Sequence, residues 1–159
     1  MLPTWNPENL SAKIPGVNIA LCGGRRMGKS SAAAHLLWEN ASKFDLVICF
    51  VVLQSLLERY WDTRFFFSEW KPGLINNLML QQERLRDAKR SILIVLDDVV
   101  LTSKDQDQLA CLAIRGRHFG ISLLMACVSY TTHSVSEGPS KNFWQIRLPK
   151  HLLTLGKHF

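Results

Sequence analysis

Eight consecutive residues near the start of the chain have the types and spacing of a loop that binds phosphate groups. They follow the pattern G-x-x-x-x-G-K-[ST] and read Gly23-Gly24-Arg25-Arg26-Met27-Gly28-Lys29-Ser30. Glycines let the backbone curl until several N–H groups point inward at phosphate oxygens. In such a loop the lysine reaches the β and γ phosphates of a nucleotide, and the serine hydroxyl is a ligand for Mg²⁺. The sequence therefore predicts a nucleotide-binding site made of these eight residues and Ser31.

The residues on either side of the loop predict the elements that must position it. Residues 17–22 form an apolar run typical of a strand, and residues 31–38 are rich in good helix formers. A helix that begins here points its positive N-terminal end at the phosphates. Strand, loop and helix in this order favour nucleotide binding over a structural glycine turn, which would not need Lys29 and Ser30.

A second chemical pattern is an apolar run at 92–96 that ends in two acids, Asp97 and Asp98. Ligands of open α/β sheets bind at the carboxyl ends of the strands, so such acids are expected beside the phosphates. Asp97 is predicted to hold Mg²⁺ opposite Ser30, directly or through water. Asp98 is predicted to orient an attacking water. The alternative is that the two acids merely end a strand and begin a turn.

A third pattern is a pair of arginines, Arg115 and Arg117, just before the apolar run 121–128. Either arginine is a candidate arginine finger, which would reach the γ phosphate held by a neighbouring subunit. Contacts to DNA phosphates and a plain surface role remain as alternatives for both. Ser129, which follows the apolar run, is a candidate contact for the γ phosphate or the water.

The remaining pattern predicts one α/β domain, 17–148, with a lead-in at 1–16 and a tail at 149–159. Strands are expected in four further apolar runs, at 45–52, 91–98, 121–128 and 143–148. Together with the first strand they predict a mostly parallel five-stranded sheet with helices on both faces.

Two helices are predicted between these strands. Apolar residues at helical spacing predict one at 74–89, after a turn at 71–73, and its later residues 83–90 are interpreted as a solvated charged face. The other helix is predicted to begin with a capping box of Ser103 and Gln106 and to end at Gly116.

The aromatic residues between 53 and 70 show no clean period. A segment that covers the core or an interface is the favoured interpretation, with base stacking as the alternative.

Composition and charge narrow the class of protein. No apolar run among the 159 residues approaches the roughly 20 needed to span a bilayer, and the N-terminus lacks the features of a signal peptide. An intracellular location is therefore expected. The four cysteines and five histidines show no metal-ligand spacing, and buried reduced thiols are expected.

The net charge of +6 is concentrated toward the C-terminus. From Gln108 onward there are six Lys or Arg against one acid, Glu137. This excess suggests a face that meets polyanions, with DNA the obvious candidate, and a solvated basic edge as the alternative.

The loop at 23–30, the run ending in Asp97 and Asp98, and the arginine segment before 121–128 together resemble the genome-packaging ATPases of large double-stranded DNA viruses. These ATPases, which include the poxvirus type, belong to the FtsK–HerA group of DNA-pumping motors. The resemblance covers 17–148. It implies ATP and Mg²⁺ as cofactors and a sheet order of 5-1-4-3-2. It also implies a ring of five or six subunits that moves double-stranded DNA into a capsid, with a capsid or portal vertex as a partner. The expected location is then the host cell cytoplasm or the virion.

The chain departs from that group at two site positions. Many relatives have Glu where this chain has Asp98, and they generally have Gln where it has Ser129. Two other functions remain as alternatives: a small P-loop kinase for a nucleoside or another phosphoryl acceptor, and a slow nucleotide-gated assembly switch. A kinase of this type should offer an arginine-rich lid, whereas this chain has scattered arginines.

Overall fold

A computed structural model describes residues 18–22, 28–51, 65–127 and 143–147. The strands in these ranges are β1 (Asn18–Cys22), β2 (Leu46–Val51), β3 (Phe66–Phe67), β4 (Ile92–Asp97), β5 (Ile121–Cys127) and β6 (Phe143–Arg147). The helices are α1 (Lys29–Asn40), α2 (Pro72–Arg84) and α3 (Ser103–Arg115), and short 3₁₀ turns lie at Ala41–Lys43, Arg86–Ala88 and Gly116–Phe119. No helix in these ranges combines the length and apolar character that a bilayer span requires.

The strands form one sheet in the order β3-β2-β4-β5-β1-β6, and each neighbouring pair is parallel. Counted over the five predicted strands, this is the expected order 5-1-4-3-2, which is confirmed. β5 lies between β4 and β1, so the strand that ends in Asp97 is not adjacent to the strand that precedes α1. The two-residue strand β3 at the edge beside β2 was not predicted, because it is too short to show a period.

Apolar side chains cover both faces of the sheet, as expected for parallel strands joined by helical crossovers. On one face Ile19 and Leu21 of β1 pack with Leu36 and Leu37 of α1. On the other face the alternate strand residues pack with α2 and α3, whose Ile75 and Leu112 are fully buried. Three layers, helix, sheet and helix, therefore hold the strands in register. The fold class predicted from the sequence is confirmed.

Helix α2 differs from its prediction at both ends. It begins at Pro72, inside the predicted turn, because a first-turn proline gives up only an N–H that has no partner within the helix. It ends at Arg84, five residues before the predicted end. Arg86 has φ of 45°, a left-handed conformation through which a right-handed α-helix does not continue.

Helix α3 is capped one residue earlier than predicted. The Thr102 hydroxyl accepts a hydrogen bond from the Asp105 N–H at 3.3 Å, and the Asp105 carboxylate accepts one from the Thr102 N–H at 3.1 Å. The predicted box of Ser103 and Gln106 is therefore wrong. Gly116 follows the helix, but its φ of −52° is right-handed, and the left-handed residue is Gly120 at 69°.

A buried glutamine fixes the connection after α2 to the turn before β5. The Gln82 Nε2 donates to the Arg90 carbonyl at 2.5 Å and to the Phe119 carbonyl at 2.7 Å, while its Oε1 accepts from the Arg90 N–H at 3.1 Å. Ile92 N–H in turn donates to the Gly120 carbonyl at 2.9 Å. Gln82 was predicted only as part of an amphipathic helix, and its position on the helix face gave no indication of these contacts.

The aromatic residues that the structure describes between 65 and 70 serve mainly the core. Trp70 and Phe66 are buried, and Phe65 is exposed. The Trp70 ring lies 4.9 Å from the Phe50 ring, between centroids, and its Nε1 donates to Gln108 Oε1 at 2.8 Å. This agrees with the core-covering interpretation for these residues. The other aromatic residues of the segment lie outside the described ranges.

The cysteine prediction is partly wrong. Cys22 and Cys49 are buried as expected, and burial raises the pKa of the Cys49 thiol to about 12. Cys111, however, is exposed on α3. Its apolar neighbours in sequence suggested burial, but it lies on the solvent side of the helix.

Gly120→Ala is expected to destabilise the protein by about 2–4 kcal/mol. A Cβ at this position would lie 2.6 Å from the Arg90 carbonyl oxygen, and the positive φ adds further strain. Gly73→Ala is the matched control, because nothing lies within 4 Å of its Cβ and it sits inside α2. Urea unfolding of the three proteins measures the effect. Equal midpoints for the two variants would contradict the close approach at Gly120.

Candidate active site

The predicted phosphate loop connects two elements that the structure describes. β1 ends at Cys22 and α1 begins at Lys29, so the described residues on either side of the loop lie at the carboxyl edge of the sheet. Gly28 precedes the helix with φ of 77°, which only glycine adopts without strain, and its carbonyl accepts from the Ala32 N–H at 2.9 Å. Five predicted loop residues lie outside the described ranges: Gly23, Gly24, Arg25, Arg26 and Met27.

The first turn of α1 carries the lysine and serine of the motif toward β4. Lys29 is only 7% exposed, which is rare for a lysine unless a partner holds it. The Ser30 hydroxyl hydrogen-bonds to the Asp97 carboxylate. Ser31, on the same turn, is exposed. The structure therefore brings Lys29 and Ser30 together with Asp97, which lies 67 positions after Ser30 along the chain.

Asp97 is a buried acid at the last position of β4, with 7% of its surface exposed. Burial raises the pKa of its carboxyl above the ordinary value, and the negative charge of Asp98 raises it further. The Ser30 hydrogen bond and the positive charge of Lys29 lower that pKa. Asp97 Oδ1 is buried and has no hydrogen-bond partner within the ranges that the structure describes. This orphaned oxygen indicates a site built for a cation or a donor.

Asp98 turns the chain out of β4. Its φ of 54° is left-handed, a conformation that aspartate tolerates better than most residues. The side chain is exposed, and its charge acts on the Asp97 carboxyl. Asp98 thus lies at the same edge as Lys29 and Ser30 but faces solvent, where a water or a phosphate can approach.

The residues present fit a magnesium ion that is shared with a nucleotide. Mg²⁺ is usually held by one or two carboxylates, substrate phosphates and water, rather than by a cage of protein ligands. Ser30 and Asp97 would supply one hydroxyl oxygen and one carboxylate oxygen as ligands of such an ion. Within the described ranges no group of three or more His, Cys, Asp or Glu is placed to hold a metal ion by itself.

Arg115 and Arg117 lie at the opposite, amino edge of the sheet. β5 begins at Ile121 opposite Ile92, and Asp97 lies five residues along β4 from that point. At about 3.3 Å per residue the two edges are roughly 17 Å apart. The Arg115 guanidinium carbon lies 5.9 Å from the centre of the Phe119 ring, and Arg117 Nε contacts His118 Nε2 at 3.4 Å. Ser129 lies outside the described ranges.

One positioning residue was missed by the sequence reasoning. Asn18 is buried at the start of β1, and its Nδ2 donates to the Ala113 carbonyl of α3 at 2.7 Å. This contact fixes the last turn of α3, which leads to Arg115, against the strand that leads to the phosphate loop. A polar residue inside an apolar strand run is the only feature of the sequence that marks it.

A cavity of about 470 Å³ lies away from these residues, beside the second half of α1. Its walls are mostly apolar and include Trp38, Phe44, Val47 and Phe66. Among the described residues of its walls, Asp45 carries a charge, and that charge is negative, which does not favour a triphosphate.

The strand order and the position of the loop between β1 and α1 define the fold as the α/β sandwich of P-loop NTPases. No protein-family model matches the chain, and no curated protein matches it.

Three solved structures are among those similar to this chain. The DNA-packaging ATPase B204 from Sulfolobus Turreted Icosahedral Virus is 15% identical over 72% of this chain and 67% of that one, with a TM-score of 0.47. The cytoplasmic domain of EssC is 14% identical over 79% of this chain, with a TM-score of 0.47. C. elegans PCH-2 is 17% identical over 91% of this chain, with a TM-score of 0.46. The chain spans only 34% of the EssC structure and 39% of the PCH-2 structure.

Asp97→Asn is expected to raise the Tm of the metal-free protein at pH 7 by about 2–4 °C, the shift that about 1 kcal/mol gives at this length. Because the pKa of Asp97 is raised on folding, its ionisation destabilises the folded state as the pH rises through that pKa. The amide removes this cost.

The difference in Tm between the two proteins should therefore shrink as the pH falls below about 4, where Asp97 is protonated in both states. Thermal melts in chelator across pH 3.5–8 measure it. An Asn variant that is less stable than the wild type at pH 7 would contradict the cost assigned to the buried charge.

Proposed function

We propose that this chain is an Mg²⁺-dependent ATP hydrolase that drives the translocation of double-stranded DNA, and that the DNA is a viral genome packaged into a capsid. The observation that carries the hydrolase part is the contact of Ser30 with Asp97, beside a buried Lys29. The Asp97 Oδ1 is buried and has no hydrogen-bond partner among the residues that the structure describes. The DNA and packaging parts are supported by the resemblance of the motifs and by the basic charge of the chain.

Each residue at the carboxyl edge has a role in this proposal. Lys29 contacts the β and γ phosphates, while residues 23–28 and Ser31 surround the phosphates with N–H donors and the start of α1. Ser30 and Asp97 hold Mg²⁺, which neutralises charge on the phosphates when it is bound. Asp98, exposed beside Asp97, accepts a hydrogen bond from the attacking water and orients it.

The amino edge takes part through a neighbouring subunit. Arg115 and Arg117 lie roughly 17 Å or more from their own nucleotide site, so they can reach a γ phosphate only across a subunit boundary. We propose a ring of five or six subunits in which one of them does so. Ser129 is proposed as the contact for the γ phosphate, and the capsid or portal vertex as the anchor of the ring.

The proposal also covers organisation and location. Residues 17–148 form the ATPase domain, 1–16 a lead-in and 149–159 a tail. The proposed location is the host cell cytoplasm or the virion.

The ATPase rate is expected to rise faster than linearly with protein concentration and to increase with double-stranded DNA, because subunits complete each other's sites. Lys29→Ala should lower turnover by at least about 10²-fold. Asp98→Asn should bind nucleotide as the wild type does but lose hydrolysis. A rate that is first order in protein and indifferent to DNA would favour the kinase, and slow single-turnover hydrolysis without DNA stimulation would favour the assembly switch.

Mixing two inactive variants tests the role of the arginines across subunits. Arg115→Ala/Arg117→Ala protein has an intact phosphate site, and Lys29→Ala protein has intact arginines. In a random equal mixture about a quarter of the interfaces pair the two intact halves, so part of the ATPase activity should return. The matched control is a chain with all three substitutions. Mixed with either inactive variant, it should restore no ATPase activity. No restoration at any ratio would assign the arginines to another role.

A further inference from the structure

The connection between α2 and β4 carries a dense group of cations. Residues 84–90 contain four of them, Arg84, Arg86, Lys89 and Arg90, against one acid, Asp87, with Glu83 adjacent. All four are exposed. Sequence alone favoured a solvated face, since mixed charges at the end of a helix are common.

The fold adds a second group of cations to the first. Gln82 hydrogen-bonds to the Arg90 and Phe119 carbonyls, so the 84–90 connection lies against the turn Gly116–Phe119, which contains Arg117 and directly follows Arg115. Both arginines are exposed as well. Six cations from two separate segments therefore occupy one end of the sheet, and Asp45 contacts one of them, Arg90, at 3.7 Å. These cations outnumber the nearby acids Glu83, Asp87 and Asp45, so the edge opposite Asp97 carries a net positive charge.

The backbone that carries these cations is held in a fixed shape. Arg90 is fixed through both its N–H and its carbonyl by Gln82, and Arg86 is held at φ of 45°, where a residue with a Cβ is strained. A flexible charged face needs neither feature. Exposed arginines and lysines on an ordered backbone suit contacts to the phosphates of a nucleic acid, which fix position rather than read sequence.

We propose that Arg84, Arg86, Lys89 and Arg90 form a binding surface for the phosphate backbone of double-stranded DNA. This surface, the α2–β4 cation surface, rests on the proposed function for its partner. The neighbouring Arg115 and Arg117 add to its positive field, whichever group they contact. DNA bound there leaves the carboxyl edge, with Lys29 and Asp97, open to nucleotide.

The test measures the affinity of the full chain for a labelled 30-base-pair DNA duplex, without nucleotide, at several salt concentrations. The variant is Arg84→Gln/Lys89→Gln. The matched control, Lys71→Gln/Lys104→Gln, removes the same charge beside the carboxyl edge, from the half-buried Lys71 just before α2 and the exposed Lys104 in the first turn of α3. Each lost phosphate contact lowers the slope of log affinity against log salt by about 0.9. The variant should therefore lose about two from that slope and bind at least 10-fold more weakly at low salt, while the control keeps the wild-type slope.

Several outcomes would overturn the surface. These are equal slopes for variant and control, no binding of the duplex by the wild type, or tighter binding of an RNA duplex than of DNA. A variant that melts more than about 5 °C below the wild type is replaced by Arg84→Gln alone, for which a slope loss near one is expected.

Measuring the ATPase rate of the same proteins with and without the duplex separates this surface from the proposed function. DNA binding that depends on Arg84 and Lys89, together with an ATPase rate that DNA does not change, would support the surface and count against the motor. DNA-stimulated hydrolysis that survives in the variant with an unchanged salt slope would support the motor and overturn the surface.

Discussion

The site depends on a buried negative charge at the end of a central strand. Asp97 is enclosed by the sheet, and its carboxylate is unfavourable there unless a donor or a cation neutralises it. Ser30 satisfies one oxygen only, and the other is left without a partner in the described ranges. The carboxylate is therefore fully neutralised only when positive charge is placed beside it. The start of α1 places Lys29, one such charge, near Asp97.

The fold class and strand order followed from the sequence because each long strand is a continuous apolar run and each motif has a fixed place at a strand end. The first and last residues of the helices and strands were harder to predict. Pro72 and Thr102 start helices at positions where neighbouring residues offered equally good start patterns. β3 is held by its pairing with β2, and two residues carry no period of their own.

The candidate site was predictable to the same extent. Lys29, Ser30 and Asp97 were named from local motifs, and the structure brings them together because the parallel order puts both strand ends at one edge. Gln82 and Asn18 were not predicted, since their roles depend on carbonyl groups 37 and 95 residues away. The position of Arg115 and Arg117 at the other edge also needed the sheet register, which no local pattern contains.

Gln82 has a mechanical consequence. Its one amide group joins the end of α2, the connection before β4 and the turn before β5. Gly120 lies so close to the Arg90 carbonyl that no side chain fits between these segments. Because the Arg90 and Phe119 carbonyls accept hydrogen bonds from this same amide, a displacement of the 84–90 connection is expected to move the turn Gly116–Phe119 with it.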